Sequence, residues 1–166
     1  MAAFALTAAT GAMAQPKESK IGYIDLQRVL ANSQAGKEAK SQLDKESEAK
    51  KKVLEEKKKD LQKIKAELEN QSLAISDEAK KRKEESLLEK KDEIMQFLQK
   101  AERELQLRDS ELTKKILSEL EDVIKKMGKE GDYTIIIEKT EGGLLYASDE
   151  IDLTDRIIKE YDKRKK

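Results

Sequence analysis

Between Lys37 and Met127 the chain runs for 91 residues without a glycine or a proline. These two residues punctuate helices, so their absence over such a length predicts helix throughout. Ala, Glu, Lys, Leu and Arg supply 93 of the 166 residues, the composition of long helices and coiled coils. The apolar pattern agrees. Leu54, Leu61, Leu68 and Ile75 recur every seven residues, with Ile64 between them. Farther on, Ile94, Leu98, Ala101, Leu105, Leu112, Ile116, Leu120, Val123 and Met127 step mostly by three or four. Both series read as coiled-coil seams.

A single rod of this length would extend about 135 Å. It would hold apart two segments that each need a partner. Ile21-Gly22-Tyr23-Ile24 reads as a short apolar strand, and Tyr133-Thr134-Ile135-Ile136-Ile137 as a buried one. Neither finds a sheet unless the helical stretch doubles back. The reversal is expected between Asn70 and Asp77, where the seam loses phase and Ser76 can cap the returning helix. Asp25 is positioned to cap a brief helix carrying Leu26, Val29 and Leu30. Glu141-Gly142-Gly143 should turn the second strand into Leu144-Leu145-Tyr146 as a hairpin. Asp152 should then cap a closing helix with Leu153, Ile157, Ile158 and Tyr161 along one face. The expected fold is α+β and mostly α: a small β-rich body from residues 15–36 and 128–166, and an antiparallel helical arm from 37–127 with its tip near 70–77.

The arm is unevenly supplied with apolar residues. Between Leu43 and Val53 the only one is Ala49, while Lys50-Lys51-Lys52 and Lys57-Lys58-Lys59 crowd the helix with cations. We expect a bendable first helix, with most of these lysines solvating its surface. Leucines at Glu48 and Lys51 should stiffen it. The body has the opposite problem. Three short strands make too small a core to stand alone, and their edges invite pairing with other copies. Ile21, Tyr23, Ile135, Ile136, Ile137 and Leu145 are the expected contacts between copies.

Much chemistry is absent. There is no cysteine and no histidine, which removes zinc sites of the usual type, thiol nucleophiles and imidazole bases. No phosphate-binding loop occurs. Thirty-five basic and 35 acidic residues leave no surplus of cations for nucleic acid. Residues 1–14 are uncharged and end in Ala12-Met13-Ala14, the small-x-small pattern of a secretory cleavage site, expected after Ala14. No Lys or Arg precedes the apolar stretch, which fits a signal cut short at its start. Asn70-Gln71-Ser72 matches a glycosylation sequon by chance.

Taken together, Ile21-Gly22-Tyr23-Ile24-Asp25-Leu26-Gln27-Arg28-Val29-Leu30, the breaker-free hairpin, the Ile135–Ile137 strand, Leu144-Leu145-Tyr146-Ala147 and Asp152-Leu153-Thr154 resemble the Skp/OmpH family of periplasmic chaperones. The resemblance implies a prefoldin-like, jellyfish-shaped homotrimer whose three arms surround a cavity. That cavity would hold unfolded outer-membrane proteins in the periplasm and release them without ATP or any cofactor. Members tied to anionic lipid are basic, whereas residues 37–127 carry 24 cations and 23 anions, so a lipid role is not expected.

Within the arm, Leu61, Ile64, Leu68, Leu73, Ile75 and Leu87 are the expected client contacts. Lys80, Lys81, Arg82 and Lys83 form the densest basic run, available to an anion, but Asp77, Glu78, Glu84 and Glu85 flank them and favour intrahelical ion pairs. No catalytic reading survives. A holdase that keeps unfolded chains from aggregating is the leading reading, and a structural spacer of the cell envelope the competing one.

Overall fold

The computed structural model of the chain describes residues 19–71 and 75–164. The expected signal segment 1–14 and Leu73 lie outside the described residues. The element order is β1 (Ile21–Ile24), α1 (Leu26–Asn32), α2 (Gln34–Gln71), α3 (Asp77–Glu130), β2 (Ile135–Glu138), a 3-10 turn (Asp149–Ile151) and α4 (Thr154–Lys163). The mostly helical fold with a long antiparallel hairpin and a small strand pair is as the sequence reads.

β1 and β2 pair in parallel, with Ile21 opposite Ile135 and Ile24 opposite Glu138. Parallel strands cannot be joined by a tight turn and require a crossover. Here the entire arm is that crossover, so the hairpin and the sheet require each other. The caps form as their sequences suggest. The Asp25 carboxylate accepts from the Arg28 amide at 2.9 Å, and the Ser76 hydroxyl accepts from the Ala79 amide at 3.3 Å.

Both long helices overrun the expected arm boundaries. α2 starts at Gln34 and passes through Gly36, and α3 continues through Gly128 to Glu130. At Gly36 the reason is steric. Ser33 is wholly buried and extended, and it turns α1 sharply into α2 while its hydroxyl accepts from the Gly36 amide at 3.1 Å. That corner brings the Leu30 carbonyl oxygen to 1.7 Å from where a Cβ on Gly36 would stand. Only glycine fits there. α3 ends by a left-handed step at Asp132 (φ 54), with the Tyr133 amide donating to the Gly128 carbonyl.

The core sits at the root of the arm. Val29 of α1, Ala35 of α2, Ile116, Leu120, Val123 and Met127 of α3, and Leu153, Ile157 and Tyr161 at α4 form one cluster with Ile24. The closing helix thus buries the face read from its spacing, with Ile158 half-buried at its edge. The Tyr161 hydroxyl donates to Glu119 at 2.5 Å, and burial reinforced by that carboxylate pushes the phenol well above its ordinary value.

Two expectations about the body need correction. Leu144-Leu145-Tyr146 does not return as a strand. The turn forms, with the Leu144 amide donating to the Lys139 carbonyl, but Leu145 and Tyr146 then leave the sheet and stand 100% and 88% exposed. The sheet within one protomer therefore has two strands, and β-rich overstates the body. Asp152 is also not the cap of α4. That position is Leu153, and the Asp152 carboxylate accepts from the Thr154 amide at 2.8 Å while gripping Arg28 at 2.7 Å. Arg28 reaches Asp155 as well, at 2.9 Å, so this cluster clamps α1 to α4.

Burial alone would push the Asp152 carboxyl up, but hydrogen bonds from Thr154 and the Arg28 guanidinium outweigh it and hold it below the usual carboxylate range. A carboxyl lowered on folding stabilises the fold above its unfolded pKa, and that stabilisation is lost as pH falls through the folded value. Urea midpoints measured from pH 6 down to 2 should fall across the acid carboxylate range. In Asp152→Asn the acid-side decline should be shallower, and stability at pH 7 should drop by about 2 kcal/mol.

Candidate functional site

The arm consists of α2 against the first two thirds of α3. Along α2 Ala39, Leu43, Ser47, Lys50, Leu54, Lys57, Leu61, Ile64 and Leu68 are half-buried, with Glu46 beside Ser47. Their steps of three and four trace one stripe facing α3. Opposite them on α3 lie Lys83, Leu87, Lys90, Ile94, Phe97, Ala101, Leu105 and Arg108, of which only Ala101 is fully buried. The seam is therefore thin, and cations occupy several of its knob positions.

Those cations are paired across the hairpin. Lys50 meets Glu104 at 2.5 Å, Arg108 meets Glu46 at 3.3 Å, Lys57 meets Glu93 at 3.5 Å and Lys83 meets Glu67 at 3.0 Å. Lys57 also stands 6.0 Å from the centre of the Phe97 ring. Of the two lysine triplets, Lys51, Lys52, Lys58 and Lys59 are exposed as expected for most of them, whereas Lys50 and Lys57 turn into the seam, and Lys83, expected in an intrahelical pair, crosses to α2 instead. Glu93 and Glu104 are held below the ordinary carboxylate range, chiefly by hydrogen bonds from Lys90 and Lys50 respectively. Such solvent-touching pairs are screened by water and contribute far less than buried leucine knobs. Glu48 and Lys51 are exposed, so leucines there would lie outside the seam. The stapling positions are Ser47 and Lys50.

Of the expected client contacts, Leu61, Ile64, Leu68 and Leu87 lie half-buried along the seam, and Ile75 is half-buried at the tip. A different set of apolar side chains stands free on the arm. Val53 is 40% exposed, Leu88 59%, Met95 56%, Leu98 46% and Leu107 59%. Leu88 and Met95 are seven residues apart and share the outward side of α3. Sequence reading passed over Leu88 and Met95 and put Leu98 in the seam, where the structure instead leaves it exposed with Phe97 turned inward. A signal existed for Leu88, since in Leu87-Leu88 one leucine must face away when the other enters a seam. In the basic run, Arg82 pairs with Glu78 at 2.6 Å and Lys83 crosses to Glu67, whereas Lys80 and Lys81 are exposed without an ion pair.

On the body, Ile21 and Ile135, neighbours in register, are 44% and 47% exposed. Ile136 and Ile137 are half-buried, and Tyr23 is buried within the chain, against its expected place between copies. Leu145 and Tyr146 are the other exposed large apolar side chains of the body. Among the described residues no helix is long and apolar enough to cross a membrane.

This architecture has relatives. The family model described as outer membrane protein (OmpH-like) matches residues 20–161, nearly the whole of the described chain. The chain belongs to the OmpH-like family. An OmpH-like protein of Caulobacter crescentus CB15, whose crystal structure was assigned as an outer membrane chaperone, superposes with a TM-score of 0.81 over 95% of this chain and 92% of that one. At 15% identity that likeness speaks for the fold. No curated protein matches the sequence closely enough to count as a relative. Within the OmpH-like fold, the match begins at Lys20, just before β1, and ends at Tyr161, the last large side chain of the core.

Proposed function

We propose that this OmpH-like chain is a periplasmic, ATP-independent holdase that binds unfolded outer-membrane β-barrel proteins and keeps them from aggregating. The observation that carries the reading is the arm itself: a thin, ion-paired hairpin with Val53, Leu88, Met95, Leu98 and Leu107 free on its surface. A rigid spacer would need a continuous apolar seam, and this arm replaces several of its knobs with lysine and arginine. Family membership and the chaperone assignment of the Caulobacter protein support the same reading.

In this reading the working unit is a homotrimer joined through the bodies, with Ile21, Ile135, Ile136, Ile137 and Leu145 at or beside the contact. Pooling the small sheets of several copies covers their open edges. Three linked arms then hold a client by many weak contacts, each labile and together effective. The contacts are the free apolar side chains together with the seam edge at Leu61, Ile64, Leu68 and Leu87, Ile75 at the tip, and Leu73, which lies outside the described residues. Lys80 and Lys81 are the tip cations available to an acidic client segment.

An unfolded β-barrel protein diluted from urea should scatter far less light in the presence of one trimer equivalent. Adding ATP with magnesium to the preformed complex should leave the client dissociation rate unchanged. Leu88→Ser combined with Met95→Ser should weaken client binding by about tenfold, on the order of the loss of two half-buried apolar contacts. Unabated client aggregation with the wild-type protein would refute the holdase reading.

A further inference from the structure

The chain has four methionines and no cysteine, so its oxidisable sulfur is confined to thioethers. Met1 and Met13 fall in the segment expected to be cleaved, outside the described residues. Met127 belongs to the core cluster and is 9% exposed. Met95, by contrast, stands 56% exposed on the outward side of α3. Among the described residues it is the one thioether open to solvent, and it lies on the arm.

Its position joins two properties. Leu88 precedes it by seven residues and Leu98 follows it by three, both exposed, so Met95 is the middle member of an apolar set on one side of the helix. Ile94, its neighbour in sequence, turns into the seam instead. A change of polarity at Met95 therefore alters the free surface of the arm and leaves the packing of the hairpin alone.

We propose that Met95 is an oxidation site through which peroxides weaken the hold of the arm on its client. The thioether sulfur attacks one peroxide oxygen, and an S–O bond forms as the O–O bond breaks. The departing hydroxide takes the proton from the transferred oxygen and leaves as water. Sulfur is thereby oxidised by two electrons to the sulfoxide, and the peroxide is reduced. The product is polar where Leu88 and Leu98 need an apolar neighbour, so the patch is interrupted at its middle. A sulfoxide reductase supplied with a dithiol restores the thioether: the dithiol becomes a disulfide and the oxygen leaves as water. This rests on the client reading above and adds its regulation.

Hydrogen peroxide applied to the full chain, and removed before an unfolded β-barrel protein is added, tests it. Peptide mapping by mass should show the Met95 sulfoxide forming about tenfold faster than that of Met127. Once Met95 is converted, the client dissociation constant should rise about threefold, while the circular dichroism spectrum and thermal midpoint stay as they were. In Met95→Leu, treated and untreated protein should bind client alike, whereas Met127→Leu should lose as much on treatment as the wild type. Methionine sulfoxide reductase with dithiothreitol should return the treated wild type to its starting affinity. Complete conversion of Met95 with unchanged affinity overturns the proposal, as does a loss that persists in Met95→Leu or a Met127 that oxidises first. These outcomes leave the holdase reading standing. An untreated wild type that binds no client sinks that reading and the regulation together.

Discussion

If the arm is the client site and the body joins the copies, replacing residues 48–106 with a short Gly/Ser connection should abolish suppression of client aggregation and leave the assembly intact. The cut follows the geometry of the hairpin. Glu46 and Arg108 face each other across it at 3.3 Å and remain as the last pair, and the whole core cluster from Ile116 onward is retained. Helix axes about 8–10 Å apart can be bridged by a few flexible residues at modest entropic cost. Stability should therefore fall little, while helical signal drops with the residues removed. In light scattering the shortened chain should keep the wild-type number of copies. In the aggregation assay it should behave like buffer, since Val53, Leu88, Met95 and Leu98 are gone. Full activity in this armless assembly would move the client site to the body.

Leu145→Asp should dissociate the assembly to single chains at micromolar concentration. Leu145 is 100% exposed within its protomer, so the substitution costs the isolated chain next to nothing. At a contact between copies it forfeits about 1.5–3 kcal/mol of leucine burial and adds the larger cost of an unpaired carboxylate away from water. With the residue at every contact between copies the effect repeats, and a shift in dissociation constant of more than about a thousandfold is expected. Ile136→Asp is a less clean probe. The Ile136 side chain packs against the protomer core and lies 3.7 Å from where a Cβ on Gly128 would stand, so that change also damages the fold of one chain. A Leu145→Asp protein that keeps its full mass would remove Leu145 from the interface.

The two predictions divide the chain along a line that local pattern already draws. The breaker-free stretch, its heptads, the capping residues Asp25 and Ser76 and the apolar face of α4 are short-range features. Each depends on side chains within one or two helical turns, and periodicity reports such relations directly. From the length of the helical stretch and the two apolar strands at its ends, the hairpin follows, because no other path lets the strands meet.

What local pattern does not carry is how separate elements meet. Whether Ile135–Glu138 pairs with the segment that follows it or with β1, far away in sequence, depends on which edge the returning arm presents. The arm presents β1, in parallel, and Leu144-Leu145-Tyr146 is left free. Glycine looked like a helix boundary at 36 and 128, yet at Gly36 it is what lets α2 begin beneath the Leu30 carbonyl. In the stretch from Ser47 to Lys50 the lone apolar residue, Ala49, is exposed and does not mark the phase, so only the position of α3 decides that Lys50 faces inward and Lys51 outward. Sequence alone determined which segments are helix and the caps at Asp25 and Ser76, because those energies are local, whereas Asp152, read as the cap of α4, is drawn into the Arg28 cluster. Tertiary structure decided register, phase and exposed surface, because those depend on contacts between residues distant in the chain.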